Sequence, residues 1–469
     1  MNEVLISKLD PARPIHLAGI AGSAMNGLAT IFRSLGFQVV GTDPNGASVR
    51  SRLTSLGIEV FDEQDGSRIP PDASLVVASA ALEADHPEIR AAGALGIPVI
   101  SYAECIGRLM SERRGVAVAG THGKTTVTSM IVSVLHRQGI EPGFVVGGHI
   151  PELGGGAQAG SSDIFVAEAC EYNRSFLNFF PEVGVITNIE ADHLDIYGTF
   201  AQVKQAFADF ASNLREKNGC LVYSEDCPHT SAVISGMGLE TVSYSINKET
   251  TLRAVDCRPS AEGTAFELVI EGRSHGEVSL TVPGPHNVAN ALAAIGVCRI
   301  LGVDESRAAE ALGSFTGASR RFEHRGEVGG ITFIDDYAHH PTELKFLLTS
   351  ARQRFEGRRI ILAFQPHQYS RTAALLDDFS AAIRAADEVL IPNIYFARDS
   401  SADVEAFDPD RFEFEMRRHG ASVAYIGSLE ALVDRLVAML RSGDVLITAG
   451  AGDIDSIIEP LKAELSTAG

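Results

Sequence analysis

Between the apolar run Val116-Ala117-Val118-Ala119 and a segment of helical period opening near Thr125 lies Gly120-Thr121-His122-Gly123-Lys124-Thr125-Thr126. A strand that turns on glycines directly into a helix belongs to a parallel sheet covered by helices, and it aims the helix N-terminus at whatever binds there. Glycines let backbone N–H groups approach phosphate oxygens, and the helix end adds positive potential. Lys124 reaches the β and γ oxygens, and the Thr125 hydroxyl can hold magnesium. The spacing is two residues shorter than in the common phosphate-loop pattern. Its setting, more than the bare pattern, marks it as a phosphate site.

The rest of the chain repeats that alternation of short apolar runs and longer helical segments, so the fold class is α/β. At 469 residues the chain exceeds one hydrophobic core, and ~150 residues per domain suggests three domains. Ile15 to Ile20 reads as a strand, followed by a Gly/Ala turn, a helix to about Leu35, Gly36 as its C-cap and a second strand, Val39 to Asp43. Strand, glycine turn, helix, strand and terminal acid together resemble a nucleotide-binding half-fold, and a first domain is expected over 1–113. Arg113-Arg114-Gly115 precedes a fresh strand, and further strands are expected at Ile164 to Ala167 and Val183 to Ile186. A polar, less periodic stretch follows over about 220–280, in which Thr264 to Ile270 alternates like a two-faced strand. The boundary near Phe322 closes a central domain, 114–322, with a mostly parallel sheet and a smaller β region. A third domain, 323–469, is Rossmann-like, with strands at Ile331 to Ile334, Ile360 to Phe364, Val389 to Ile391, Val423 to Ile426 and Val445 to Thr448.

Composition excludes several classes. A net charge of −21 argues against general affinity for nucleic acid or anionic membrane, which need clustered Lys and Arg. No run approaches the ~20 apolar residues of a membrane span, and the N-terminus lacks a basic start with a long apolar stretch. The cytosol is the expected compartment. Six cysteines, with no C-x-x-C pair, are expected to be buried small hydrophobes.

Polar residues collect where such sheets gather ligands, at the carboxyl ends of strands. Glu168 ends a buried strand and His193 lies just past another, so both could converge with Thr125 on one magnesium ion, although oxygen suits that ion better than imidazole. Asn287 and Asn290 share a helix face and could bond a base or phosphate, or could equally cap and pack. Asp335-Asp336-Tyr337-Ala338-His339-His340-Pro341-Thr342-Glu343 and Phe364-Gln365-Pro366-His367-Gln368-Tyr369-Ser370-Arg371-Thr372 follow successive strands. A lone histidine is usually structural, whereas so many polar groups at adjacent strand ends make good cleft sequence.

Taken together, AGTHGKTT, TNIEADHLD, PGPHNVANALAA, DDYAHHPTE, FQPHQYSRT and TAGAGDID span essentially the whole chain and resemble the Mur ligase family, in particular its branch that joins L-alanine to UDP-N-acetylmuramate. The resemblance implies a UDP-substrate domain, a central ATPase domain and a closing domain with the amino-acid site. It implies ATP and Mg2+ as cofactors, UDP-N-acetylmuramate and L-alanine as partners, and a monomer or weak homodimer. Carried over by position, it places Gly120, Thr121, His122, Gly123, Lys124, Thr125, Thr126, His286, Asn287, Asn290, Arg321 and Asp336 around ATP. Thr125, Glu168 and His193 would hold the metal. Gly19, Ile20, Ala21, Gly22, Ser23, Asp43, Ser79 and His193 would serve the UDP substrate, and Tyr337, His339, His367, Gln368 and Arg371 the amino acid. Lys124, Glu168, His193, His339 and Arg371 are the implied catalytic set.

Four departures from the family pattern stand out: alanines at 21 and 24 where glycines are usual, Cys170 and Tyr172 in an otherwise acidic and small segment, Gln368 where arginine is common, and no lysine in register after His193. The last is typical of the L-alanine branch. A murein-peptide recycling ligase should lack the QPHxYSRT block, a nucleotide switch leaves the polar strand ends of the last third unexplained, and a dehydrogenase would not carry its stronger phosphate loop in a second domain.

Overall fold

The computed structural model describes residues 5–397 and 399–468. It is an α/β protein with three sheets. Two compact units make up the chain: residues 1–255, 267–278 and 289–313, and residues 256–266, 279–288 and 314–469.

The first sheet contains β1 (Ile15–Ala18), β2 (Val39–Thr42), β3 (Glu59–Phe61), β4 (Leu75–Ala78) and β5 (Val99–Ser101), in the order β3-β2-β1-β4-β5, all parallel. Helix α1 (Ser23–Ser34) follows β1, and Gly36 takes φ 91° just beyond it, the left-handed conformation that ends helices. Helix α2 (Pro87–Ala94) follows β4. The strand order reverses between β1 and β4, so a crevice opens outside their carboxyl ends.

The second sheet begins with β6 (Arg114–Ala119), which delivers the chain into α3 (Lys124–Arg137). It continues with β7 (Gly143–Ile150), β8 (Gly155–Gln158), β9 (Ile164–Glu168) and β10 (Val183–Ile186), then the short α4 (Leu194–Tyr197). After it come β11 (Cys220–Ser224), β12 (Glu240–Ser245), β13 (Leu252–Ser260), β14 (Gly263–Ile270) and β15 (Arg273–Leu280). The order is β15-β14-β13-β12-β11-β10-β6-β9-β7-β8. Strands β6, β9 and β10 lie side by side and are buried almost throughout, which is why they read as unbroken apolar runs. The stretch that seemed aperiodic holds β11 to β15; β13 and β15 are largely exposed, so polar residues interrupt any pattern. Residues of the first two sheets share one apolar core, in which Leu28, Phe32, Phe165, Phe176, Phe207 and Phe210 are fully buried.

Helix α5 (Pro285–Ile300) comes next in the chain, and the third sheet is formed by β16 (Glu323–Val328), β17 (Ile331–Asp336), β18 (Ile360–Phe364), β19 (Glu388–Ile391), β20 (Val423–Tyr425) and β21 (Val445–Ala449). Its order is β16-β17-β21-β18-β19-β20, with only β16 antiparallel to its neighbour. Helix α6 (Pro341–Arg354) opens after β17 with proline at its start and a capping box in which the His340 ring accepts from Thr342 N. Helix α7 (Tyr369–Ala374) follows β18. Apolar layers lie on both faces of this sheet, as a covered parallel sheet requires.

No helix among the described residues is long and apolar enough to cross a membrane. The cysteine expectation holds for Cys105, Cys220 and Cys298, which are buried, and fails for Cys170 and Cys257, which are exposed at loop and strand surfaces. Small size lets cysteine sit at either place, so residue type alone did not decide it.

Candidate active site

The phosphate loop is fastened to the segment that follows β10. Thr121 N donates to Asn188 O at 3.0 Å, His122 N to Asn188 Oδ1 at 2.8 Å, and Thr187 Oγ1 to His122 O at 2.6 Å. Glu190 N donates to Thr121 Oγ1 at 2.9 Å. Gly120 has φ 139°, and a Cβ there would stand 1.9 Å from Thr187 Oγ1. Only glycine lets these two strand ends approach so closely. Gly120→Ala is therefore expected to displace the loop and lower kcat/KM for ATP by ~10²-fold, read from initial rates against nucleotide concentration. Asn290 faces the same loop, its Oδ1 2.7 Å from where a Gly123 Cβ would be.

Lys124 curls back over the loop. Its ammonium donates to Gly120 O at 2.6 Å, Thr121 O at 3.0 Å and Glu171 Oε2 at 2.8 Å. Burial works against its charge, yet the Glu171 carboxylate, with Glu168, outweighs that and holds the ammonium well above the usual lysine range. Lys124 is a permanent cation held on the loop. Thr125 Oγ1 donates to Glu168 Oε2 at 2.9 Å, and Gly147 N donates to the same oxygen at 2.8 Å. These two expected metal residues are in direct contact. His193 opens α4 in the left-handed region at φ 52° and gathers with Asp192 and Glu171, their ligand atoms all within 4.8 Å of one another. The Tyr172 ring meets the His193 ring edge-on at 5.2 Å. Hard oxygen donors suit magnesium, so the Thr125–Glu168 pair fits that ion, and Glu171 with Asp192, beside His193, forms a second oxygen-rich group.

In the first sheet, the turn after β1 is held by Gly19 N and Ile20 N donating to Thr42 O at 2.8 and 3.1 Å, and by Ala21 N donating to Asp43 Oδ2 at 3.0 Å. Gly19 takes φ 85°, and a Cβ there would lie 2.7 Å from Ser79 Cβ. The turn, Asp43 after β2 and Ser79 after β4 thus meet at the strand-order reversal, with Gly22 and Ser23 leading into the positive end of α1. Beneath it lies a fully buried cluster: the Glu88 carboxylate accepts from Thr42 Oγ1 at 2.7 Å and pairs with His16 Nε2 at 2.9 Å.

The second unit carries the other group. Asp336, at the end of β17, accepts from Phe322 N at 2.7 Å and Ala338 N at 2.8 Å. Burial raises its carboxyl to about 6, against Arg321 and those two N–H groups. The folded state thus binds this proton more tightly than the unfolded one. The contribution is fully present below pH 3.8 and is lost as pH rises to about 6. Asp336→Asn is expected to flatten that part of the stability profile relative to the parent chain, measured by thermal melts between those pH values. Arg320 and Arg321 each stand 5.2 Å over the Tyr337 ring. His339 Nδ1 lies 2.9 Å from Tyr337 O, an acceptor only, so that nitrogen carries the proton and Nε2 is the basic one. The His339 and His367 rings are 6.1 Å apart, and His367 stacks on Tyr395 at 5.7 Å. Gln368 N donates to Tyr395 O at 3.0 Å, and the buried Gln368 adopts φ 73°, ψ 122°, turning the chain so that α7 with Arg371 starts beside His367. His286 is packed rather than presented: it stacks on Phe346 at 5.0 Å, burial lowers it to about 4, and Asn287 Nδ2 caps Pro283 O at 2.7 Å.

Residue patterns missed Glu171, Thr187, Asn188 and Glu190. The signal was present for the last three, since polar residues directly after a buried parallel strand face the ligand end of the sheet.

Three family models match in sequence along the chain: "Mur ligase family, catalytic domain" over 14–114, "Mur ligase middle domain" over 118–298 and "Mur ligase, glutamate ligase domain" over 320–452. A UDP-N-acetylmuramate–L-alanine ligase of Caldanaerobacter subterraneus is 40% identical over 458 residues, 97% of this chain and 98% of that one. The chain belongs to the Mur ligase family. One of the same name from Burkholderia ambifaria is 39% identical to this Mur ligase over 95% of its length and 96% of that relative. Among solved structures, UDP-N-acetylmuramate–alanine ligase from Thermotoga maritima superposes with TM-score 0.80 at 28% identity, covering 97% of this Mur ligase and 100% of that chain.

Proposed function

We propose that this Mur ligase joins L-alanine to UDP-N-acetylmuramate at the expense of ATP, in peptidoglycan precursor synthesis. The observation that carries the reading is the Lys124 ammonium spread over Gly120 O, Thr121 O and Glu171, beside the Thr125–Glu168 pair. Phosphoryl transfer needs charge neutralisation and alignment more than a covalent partner, and this arrangement supplies both. The lactyl carboxylate oxygen attacks the γ-phosphorus; its bond to the β,γ-bridging oxygen breaks and ADP leaves with the electron pair. The alanine amine then attacks the acyl carbon, the acyl–oxygen bond breaks, and phosphate leaves. His339 Nε2 is the base assigned to the amine proton. Bound at Thr125 and Glu168, Mg2+ would neutralise phosphate charge. The UDP moiety is assigned to the turn from Gly19 to Ser23 with Asp43 and Ser79, and alanine to Tyr337, His339, His367, Gln368 and Arg371. Domain boundaries at 1–113, 114–322 and 323–469 accompany this assignment.

Rates with L-alanine, L-serine and glycine at fixed ATP and UDP-N-acetylmuramate test the amino-acid assignment. L-Alanine should give the highest kcat/KM, and preference for a preformed peptide would replace this reading with the recycling one.

A further inference from the structure

Just past Glu171, Asn173 and Arg174 both take left-handed backbone conformations, φ 50° and 57°, inside a short helical turn. Two consecutive residues with side chains in that region are held against their backbone preference, so the surroundings must impose them. The constraints are visible. Arg174 N donates to Glu171 O at 2.9 Å, Phe176 N to Cys170 O at 3.1 Å, and the Tyr197 hydroxyl to Glu171 O at 2.5 Å. Phe176 is anchored in the core between Phe207 and Phe210.

This backbone fixes where the Arg174 head group goes. The guanidinium rests 5.5 Å over the Tyr197 ring, exposed, and it makes no ion pair among the described residues. Two carboxylates, Glu171 and Asp192, gather with His193, Glu171 is paired with Lys124, and the Tyr197 hydroxyl that donates to Glu171 O belongs to the ring under Arg174. In a chain of net charge −21, an arginine left unpaired and braced on an aromatic face at the edge of that region is placed for an incoming anion.

Resting on the ligase reading above, we infer that Arg174 binds the reacting anion of the acylation step, the acceptor carboxylate or the γ-phosphoryl group. Its planar fork matches either one, and Tyr197 and the strained turn pre-set its direction. It would add a second positive group to the one Lys124 supplies, without adding another metal ligand.

The test compares Arg174→Gly and Arg174→Lys in the full chain. Glycine accepts the left-handed conformation without strain, so Arg174→Gly should fold and melt at or above the parent temperature. It should lose ~10- to 100-fold in kcat/KM. Arg174→Lys should recover part of that loss. A rise confined to the KM for UDP-N-acetylmuramate assigns the anion as carboxylate, and a rise confined to the KM for ATP assigns it as phosphoryl. Parental kcat and KM in Arg174→Gly, or equal loss in Arg174→Lys, would overturn the inference. Absence of ligation in the parent chain would instead remove the ligase reading itself.

Discussion

Lys124→Ala is expected to lower ligation by ~10²–10³-fold while leaving UDP-N-acetylmuramate binding at its parental value. Among the described residues the Lys124 ammonium is the cation that contacts the loop carbonyls Gly120 O and Thr121 O, where the proposed reading puts the transferred phosphoryl charge. The turn assigned to the UDP moiety belongs to a different sheet, so UDP-N-acetylmuramate affinity, measured by titration calorimetry, should not follow the loss. The substitution also strands Glu171, whose side chain is only 4% exposed, and a buried carboxylate without its counter-charge costs about 3–5 kcal/mol. A lower melting temperature is therefore expected alongside the lost activity. Adding Glu171→Gln removes the stranded charge, so the double variant should regain thermal stability and remain inactive. Recovery of both together would mean that Lys124 serves folding alone.

A second large effect is expected in the first sheet. Glu88 is fully buried, and its carboxylate holds His16 Nε2 and Thr42 Oγ1. Glu88→Ala leaves both of those polar groups buried without that acceptor and opens a cavity, a combination worth about 3 kcal/mol or more. Thr42 O is also what receives Gly19 N and Ile20 N. The first thermal transition should fall, and UDP-N-acetylmuramate affinity should fall with it, while ATP binding persists. Replacing the cluster together, with Glu88→Leu, Thr42→Val and His16→Phe, should return part of the stability, because apolar groups of similar volume avoid the desolvation cost.

Much of the fold was legible because parallel strands covered on both faces must be apolar along their whole length. Val183 to Ile186 and Ile360 to Phe364 coincide with β10 and β18, residue for residue. The exposed strands β13 and β15 carry no such constraint, and Arg258, Ser260, Ser274 and His275 look like loop residues until pairing is known. In the site, Lys124 and Thr125 were readable from a local pattern that strand and helix impose. Glu171 was not: its role comes from a turn that brings it back on Lys124 across 47 positions of sequence. Likewise, nothing in the residue order announced that Arg174 would sit in a left-handed conformation over Tyr197.

The central claim is that phosphate release from ATP is coupled to amide formation. The direct measurement is phosphate release by the purified full chain, with UDP-N-acetylmuramate and L-alanine supplied singly and together. The account predicts sustained release only with both present, matched mole for mole by the L-alanyl product. Equal release with either one absent would contradict it.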